Sequence, residues 1–414
     1  MTFESLELPG YLLKALDKLS FLTPTPVQEQ VIPEILEGKD LMVEAHTGTG
    51  KTAAYSIPSI KKINDLHSDS NKDDSFIYNL TLVPTRELAI QVASFYKNCS
   101  KYSPNRIQTL TVIGGEPIEQ QLNALEKGVD IVVATPGRLL ELLELEKINL
   151  NHIKTLILDE ADKLFTIEFT EQLQLLLEQL PENRQNLLFS ATLPAKILKL
   201  KDLVLNDPTS IKITPDEATI DNIEQRLIEV NSHNRRALLQ HLIKTEKWEN
   251  AMVFVATKRA AYNLGLKLRK AGFSVEAFHG DLDQEDRVEV LNGFKNKDYS
   301  ILITTDITAR GIDIAKLSAV INYDLPRSPL DYVHRIGRTG RAGEKGRTYT
   351  FIDHADKAHF KVIEKKAKIK LQPEQIEGFE LTGEAPTKEK GPAPVKGKRK
   401  SKKDKLRELK AEQE

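Results

Sequence analysis

Short apolar runs recur along the whole chain, and most of them end abruptly in small, hydroxyl-bearing or charged residues. Residues 155–158 (TLIL) are one example, and Asp159, Glu160 and Asp162 follow them directly or nearly so. A strand buried on both faces of a parallel sheet reads as a continuous apolar run, and such sheets hold ligands beyond the carboxyl ends of their strands. The pattern therefore predicts an α/β fold with functional groups collected along one edge of each sheet.

The length of 414 residues exceeds what one ordinary core supports, so two domains plus extensions are expected. Composition shifts place an N-terminal domain at 1–207, a linker at 208–221, a C-terminal domain at 222–372 and a basic tail at 373–414. Low apolar content predicts that the tail is disordered. Its Lys and Arg residues suit salt-sensitive RNA affinity, a solubilising role or nuclear targeting.

The composition of 40% hydrophobic and 29% charged residues is that of a soluble globular protein. There is no apolar run long enough to cross a bilayer, and the opening MTFESLELPG does not resemble a signal peptide. Cys99 is the single cysteine, which excludes an intrachain disulfide and fits a reducing compartment. We expect a cytoplasmic monomer with no membrane partner.

Residues 45–52 (AHTGTGKT) follow an apolar run and precede a helix expected to begin near Ala53. In a phosphate-binding loop, glycines let backbone N–H groups surround phosphates, the lysine neutralises their charge and the final hydroxyl binds magnesium. Ala45 departs from the strict pattern, which has glycine there. The nucleotide-binding residues assigned from this loop are Thr47, Gly48, Thr49, Gly50, Lys51 and Thr52.

The acidic residues after 155–158 have two interpretations. At a sheet edge, Asp159 can hold a hydrated magnesium ion and Glu160 can orient or deprotonate the water that attacks a terminal phosphate. Alternatively, they form an acidic first turn of a helix. Near the start of the chain, Gln28 can pair with adenine and Phe21 can stack on the base, or Gln28 is a surface residue after a Pro-rich turn.

Three further apolar runs deliver PTRELA at 84–89, GG at 114–115 and TPGR at 135–138. Their backbone N–H groups, hydroxyls and arginines suit a sugar-phosphate backbone, although each alone is equally well an ordinary strand-to-helix turn. Another run delivers SAT at 190–192, whose hydroxyls can bond the acidic cluster or cap a helix.

The second half of the chain repeats the rhythm of strands and helices without a phosphate loop. Strands are expected at 225–230, 251–255, 275–278, 300–304, 319–323 and 347–352. Residues 334–341 (HRIGRTGR) carry three arginines at intervals of three. These arginines form a nucleic-acid patch, or they supply arginine fingers to a phosphate bound by the other domain.

The motifs together resemble those of the DEAD-box ATP-dependent RNA helicases over about residues 1–370. PTPVQ, AHTGTGKT, PTRELA, TPGR, DEAD, SAT, RGID and HRIGRTGR occur in the family's order. Ala45 is the residue that this family normally has. One departure is Ser20, where the family usually has glycine before the aromatic residue. The resemblance implies two tandem RecA-like domains with parallel sheets, and ATP and Mg²⁺ as ligands.

By position, the resemblance assigns adenine selection to Gln28, base stacking to Phe21 and a ribose contact to Asp313. Lys51, Asp159, Glu160, Arg338 and Arg341 would be catalytic, with Thr52 and Asp159 at the metal. The residues implied to couple ATP state to domain closure are Asp162, Ser190, Thr192 and His334. Those implied to touch RNA, single-stranded or in a short duplex and with little sequence preference, are Arg86, Gly115, Thr135, Arg138, Arg287 and Thr305.

The resemblance implies an RNA-stimulated ATPase that separates short duplexes or remodels RNA–protein complexes. An ATP-gated RNA clamp with little unwinding is the alternative, and a DNA helicase of a related two-domain group is a third hypothesis. The sequence identifies neither the RNA nor any partner protein.

Overall fold

The computed structural model describes residues 2–46, 48–69, 76–165, 167–193, 197, 201, 203–213, 223–309, 314, 317–340 and 346–383. Two α/β domains lie within the compact unit Met1–Leu381. In the described residues each domain is built on seven strands, and all their pairings are parallel. The fold class predicted from the sequence, two tandem RecA-like domains with parallel sheets, is confirmed.

The N-terminal sheet has the strand order β3-β4-β2-β5-β6-β1-β7. Its strands are β1 Leu41–Glu44, β2 Asn79–Leu82, β3 Thr109–Val112, β4 Ile131–Ala134, β5 Thr155–Leu158, β6 Gln185–Ser190 and β7 Thr209–Lys212. The strands β1, β6 and β5 are neighbours, so the loops that follow them lie side by side at one sheet edge.

The helices of the N-terminal domain cover both faces of its sheet. They are α1 Gly10–Lys18, α2 Pro26–Leu36, α3 Lys51–Asp69, α4 Arg86–Cys99, α5 Ile118–Glu126, α6 Pro136–Glu144, α7 Ala161–Leu164 and α8 Ile167–Glu178. Two apolar clusters result, one including Val31, Ile57 and Phe189, the other including Leu139, Leu156 and Leu188. Burial from both sides explains why the strands read as continuous apolar runs.

The C-terminal sheet has the order β10-β11-β9-β12-β13-β8-β14. Its strands are β8 Ile223–Glu229, β9 Ala251–Phe254, β10 Val275–Phe278, β11 Ile301–Thr304, β12 Ala319–Asn322, β13 Gly346–Ile352 and β14 Pro373–Glu374. Its helices are α9 Arg235–Glu246, α10 Lys258–Lys270, α11 Gln284–Lys295, α12 Asp306–Ala309, α13 Pro329–Ile336 and α14 Lys357–Ala367. Counted from the start of each domain, the strand order is the same in both sheets.

Two boundaries differ from those expected. The strand β7 lies inside the predicted linker 208–221 and pairs with β1, and the sequence pattern misses it because only Ile211 is buried. The strand β14 lies inside the predicted tail 373–414, and Ile376 and Phe379 pack on the C-terminal core. Residues 214–222 and 384–414, the rest of the predicted linker and tail, lie outside the described residues. Among the described helices, none has the length and apolarity to span a membrane.

Candidate active site

The phosphate-binding loop connects β1 to α3, which begins at Lys51. Gly48 and Gly50 have φ values of 85° and 94°, a left-handed conformation that glycine adopts without strain. The Lys51 ammonium is buried and donates to the Ala45 carbonyl at 2.6 Å. Burial lowers its pKa, while the charges of Asp159 and Glu160 act in the opposite direction. Of the loop residues assigned from sequence, Thr47 lies outside the described residues.

Gln28 joins the predicted adenine segment to the phosphate loop. Its side chain is fully buried, accepts from the Thr25 N–H at 3.0 Å and donates to the Gly50 carbonyl at 3.2 Å. A Cβ at Gly50 would lie 2.5 Å from the Gln28 amide nitrogen, so the loop needs glycine there. Phe21, the predicted stacking residue, is half-buried with its ring edge-on to Phe95 at 5.7 Å.

Ser20, where the related family usually has glycine, adopts φ 61°. This left-handed conformation costs a residue with a Cβ about 1–2 kcal/mol, whereas glycine adopts it freely. The backbone therefore explains why glycine suits the position and why serine there is strained.

The acidic residues that follow β5 are buried beside the phosphate loop. The Asp159 carboxylate accepts from the Tyr55 hydroxyl at 3.0 Å and from the Glu160 N–H at 2.8 Å. Burial raises the pKa of Asp159, and the nearby Lys51 charge opposes that rise. The sequence analysis did not assign Tyr55, although it lies one helical turn after Lys51 and so on the same face of α3.

Glu160 directly precedes the short helix α7 and has φ 51°, so its side chain leaves a sharply turned backbone. Its carboxylate accepts from the Lys163 ammonium at 2.7 Å. Burial would raise the pKa of Glu160, but Lys163, Lys51 and Arg338 together hold it below its usual value. The acidic turn therefore precedes a helix and also lies near Lys51 of the phosphate loop.

The three predicted coupling residues of the N-terminal domain meet at one hydroxyl. Ser190 Oγ lies 2.6 Å from the Thr192 carbonyl and 3.2 Å from an Asp162 carboxylate oxygen, and it accepts from the Asp162 N–H at 3.2 Å. These contacts link the loops after the neighbouring strands β5 and β6. His334, the fourth residue, comes from the C-terminal domain, and its ring centre lies 6.5 Å from that of His46.

His334 and Arg338 bring the C-terminal domain to the acidic cluster. Burial, with Lys163, His46 and Arg338 nearby, lowers the pKa of His334 to about 2, so the ring is neutral. Arg338 is 7% exposed, and its charge lowers the pKa of Glu160. A pocket at this junction is lined by Lys163, Phe254, Asp306, Ala309, Asp331, His334, Arg335 and Arg338.

The arginines of residues 334–341 do not share one role. Arg335 is 2% exposed and donates to both carboxylate oxygens of Asp306, at 2.6 and 2.8 Å, so it stabilises its own domain. Arg338 instead faces the junction between the domains. Arg341 and the predicted ribose contact Asp313 lie outside the described residues.

The structure gathers the predicted RNA-contacting residues of the N-terminal domain at the carboxyl ends of β2, β3 and β4, which are neighbours. The Arg86 guanidinium covers the turn at Gly115, where a Cβ would lie 2.1 Å from it. Arg138 donates to the Glu116 carbonyl at 3.1 Å, and Thr135 precedes the first turn of α6.

Two predicted RNA-contacting residues of the C-terminal domain make contacts within the protein. Arg287 forms an ion pair across the domain junction with Glu87, at 2.7 Å, and both side chains are largely buried. The Thr305 hydroxyl lies 2.9 Å from that of Thr308 and is buried. Sequence reasoning missed Glu87, whose place in the first turn of α4 is equally typical of a helix start.

Family models match both halves of the chain. Residues 25–200 match the model described as DEAD/DEAH box helicase, and residues 234–343 match the helicase conserved C-terminal domain. The DEAD-box ATP-dependent RNA helicase CshA of Bacillus cereus is 39% identical over 370 residues, covering 89% of this chain and 69% of CshA. CshA of Geobacillus kaustophilus is also 39% identical, with coverage of 90% and 78%.

Solved structures agree in fold over both domains. Saccharomyces cerevisiae Dbp5 bound to RNA and ADP BeF3 aligns with a TM-score of 0.80 and 30% identity, covering 90% of this chain and 95% of Dbp5. The DEAD-box helicase Mss116 bound to ssRNA and UDP-BeF aligns with a TM-score of 0.80 and 29% identity, covering 91% and 79%.

Two parallel sheets, with acidic residues in the N-terminal domain close to Arg338 of the C-terminal domain, are typical of a helicase built from paired RecA-like domains. The chain belongs to the family of DEAD-box ATP-dependent RNA helicases. It is therefore a hydrolase that couples ATP to work on RNA.

Proposed function

We propose that the chain hydrolyses ATP at Lys51, Asp159, Glu160 and Arg338, and that hydrolysis reopens two domains that ATP and RNA close together. One observation carries this proposal. Arg338 of the C-terminal domain lines one pocket with Lys163 of the N-terminal domain, whose ammonium lies 2.7 Å from the Glu160 carboxylate, and the Arg338 charge lowers the pKa of Glu160. A site divided in this way is complete only when the domains meet, so RNA that favours closure also favours hydrolysis.

In the proposed reaction the ATP phosphates lie on the backbone N–H groups of the loop at the start of α3. Glu160 positions the attacking water and accepts its proton, while Lys51 and Arg338 stabilise the charge that develops on the phosphoryl oxygens. Arg341 would act as a second arginine finger. The fingers are worth on the order of a thousandfold or more in rate.

Mg²⁺ fits the residues beside this loop. Asp159 offers a carboxylate with room for further hydrogen bonds beyond those from Tyr55 and Glu160, and Thr52 offers a hydroxyl at the start of α3. In the described residues no group of three acidic, His or Cys side chains could hold a metal alone. That suits Mg²⁺, which takes one or two protein ligands and fills its remaining positions with water and phosphate oxygens, whose negative charge it neutralises.

The base and sugar contacts extend the proposal. Gln28 would select adenine, Phe21 would stack on it and Asp313 would contact the ribose. The bond from Gln28 to the Gly50 carbonyl supports this assignment, because it lets adenine binding influence the phosphate loop.

RNA would cross both domains along its sugar-phosphate backbone. Its proposed contacts are Arg86, Gly115, Thr135, Arg138, Arg287 and Thr305. Contacts to phosphate and sugar carry little sequence information, so we expect little sequence preference. The alignment with Dbp5 and Mss116 structures that contain RNA supports this placement.

Coupling between ATP and RNA would run through Asp162, Ser190, Thr192 and His334. The hydrogen bonds at Ser190 Oγ tie the loops after β5 and β6 together. The neutral His334 ring of the other domain lines a pocket with Lys163, the residue that follows Asp162. We further propose that the protein is monomeric and cytoplasmic, in keeping with its single, buried Cys99.

The experiment is RNA-stimulated phosphate release by the purified chain and its Glu160→Gln variant. We expect Glu160→Gln to lower turnover by about 100-fold or more, the usual scale for losing a general base, and to keep ATP-dependent RNA binding. Glu171→Gln, which changes an exposed carboxylate of α8, is the matched control. Phosphate release that RNA still stimulates in Glu160→Gln would refute the role given to Glu160.

A further inference from the structure

Lys163 is a largely buried cation at the domain junction, and the reaction described above does not use it. Its side chain is 11% exposed, and its ammonium lies 2.7 Å from the Glu160 carboxylate, which is 7% exposed. It is also the one residue of the N-terminal domain that lines the pocket shared with His334 and Arg338, among the described residues.

The contact between Lys163 and Glu160 differs from an ordinary ion pair between residues three apart on a helix surface. Surface pairs of that spacing are exposed and contribute little, because water screens both charges. Here both groups are nearly excluded from solvent, and burying a lysine is costly unless a partner holds it. In addition, Glu160 leaves the chain from a left-handed backbone at φ 51°, outside the regular helix.

We propose that Lys163 is a positioning residue for Glu160. It fixes one carboxylate oxygen, Oε2, and so directs the other oxygen toward the water that attacks ATP. Lys163 itself touches neither ATP nor that water. The inference rests on the proposed role of Glu160.

The geometry sets the expected size of the effect. Orientation of a catalytic group matters steeply, and a misplacement of about 1 Å costs on the order of 100-fold in rate. Without Lys163 the Glu160 carboxylate loses the ammonium that donates to its Oε2 at 2.7 Å. An arginine at this position keeps the positive charge and can still donate to the same oxygen.

The test compares Lys163→Met and Lys163→Arg in the full chain by RNA-stimulated ATP hydrolysis. We expect Lys163→Met to lower kcat by about 10- to 100-fold with the KM for ATP changed less than about 3-fold, since only orientation is lost. Lys163→Arg should restore kcat to within about 3-fold of the parent. Lys147→Met, at an exposed lysine of the same domain, is the control and should behave as the parent does.

A second measurement separates positioning from domain closure. RNA affinity with a non-hydrolysable ATP analogue should stay within about 3-fold of the parent in Lys163→Met. An equal loss of RNA affinity and kcat would overturn the proposal, because Lys163 would then serve domain closure. An unchanged kcat would show that Lys163 has no role in turnover, and an increased kcat would show that it restrains Glu160; either result would also overturn the proposal.

A crystal structure of Lys163→Met decides the question independently of turnover. We expect the Glu160 carboxylate to leave the place it holds in the parent, and an unmoved carboxylate would overturn the positioning role. If the parent chain releases no phosphate with RNA present, the proposed function fails while this structural comparison still decides the inference.

Discussion

Breaking the ion pair between Glu87 and Arg287 should weaken ATP-dependent RNA binding. The pair crosses the domain junction at 2.7 Å, with the two side chains 6% and 14% exposed. Removing one partner of a fully buried pair costs about 3–5 kcal/mol, and an exposed pair is worth less than about 1 kcal/mol. For this largely buried pair we expect Glu87→Gln to cost the closed form about 2 kcal/mol, equivalent to about 30-fold in affinity.

The assay is fluorescence anisotropy of a labelled single-stranded RNA with a non-hydrolysable ATP analogue. Glu87→Gln should weaken binding by that amount, and Arg287→Met should weaken it at least as much, because it also removes the proposed RNA contact. The double variant should be little worse than Arg287→Met alone, because both single variants lose the same ion pair. Lys297→Met breaks the exposed pair between Lys297 and Glu249 and should change affinity less than about 2-fold.

One result would refute the ion-pair reasoning. Normal RNA affinity in Glu87→Gln combined with a large loss in Arg287→Met would show that the arginine acts without Glu87. The predicted direct contact between Arg287 and RNA would then account for the loss.

Two further predictions concern Ser20 and Cys99. Ser20→Gly should stabilise the N-terminal domain against urea by roughly 0.5–1 kcal/mol, because it relieves the left-handed strain at φ 61°. Ser20→Ala keeps the Cβ and should not stabilise the domain. Equal stability of the parent and Ser20→Gly would contradict the prediction. Burial raises the pKa of the Cys99 thiol to about 12, so a thiol-specific reagent at pH 8 should label the folded chain far more slowly than the urea-unfolded chain. The thiol's contribution to stability is present below its unfolded pKa and falls as the pH rises above that value, and rapid labelling of folded protein would show that Cys99 is accessible.

The sequence predicted the strands well because most are buried on both faces. Residues 251–255 and 275–278 were expected as strands, and the structure has Ala251–Phe254 and Val275–Phe278. The edge strand β7 was missed because one face meets solvent, which leaves Ile211 as its single buried residue. Periodicity detects burial, so an edge strand with little burial gives little signal.

The site was predicted less completely, and the missing parts depend on packing between elements distant in sequence. Arg335 and Arg338 look alike at intervals of three, yet Arg335 is turned into its own domain and Arg338 toward Glu160. The structure shows that Tyr55 contacts Asp159 and that Glu87 contacts Arg287, and in both pairs the partners are far apart in sequence. No local pattern encodes those distances.

The shared strand order of the two sheets has a consequence for the C-terminal domain. Lys51 begins the helix after the first strand of its domain, and Arg235 begins the corresponding helix α9. Asp159 follows the fifth strand, and Asp324 lies just beyond the corresponding strand β12. Arg235 pairs directly with Asp324 at 3.0 Å and is also held by Asp356.

The two domains therefore carry the same charges at equivalent places and use them differently. In the N-terminal domain Lys51 donates to the Ala45 carbonyl and Asp159 accepts from the Tyr55 hydroxyl, and we propose that both groups also serve the phosphate and its metal. In the C-terminal domain Arg235 and Asp324 pair with each other at the equivalent strand ends. We therefore expect the N-terminal domain to bind the nucleotide, while the internal pair of the C-terminal domain stabilises that domain's own fold.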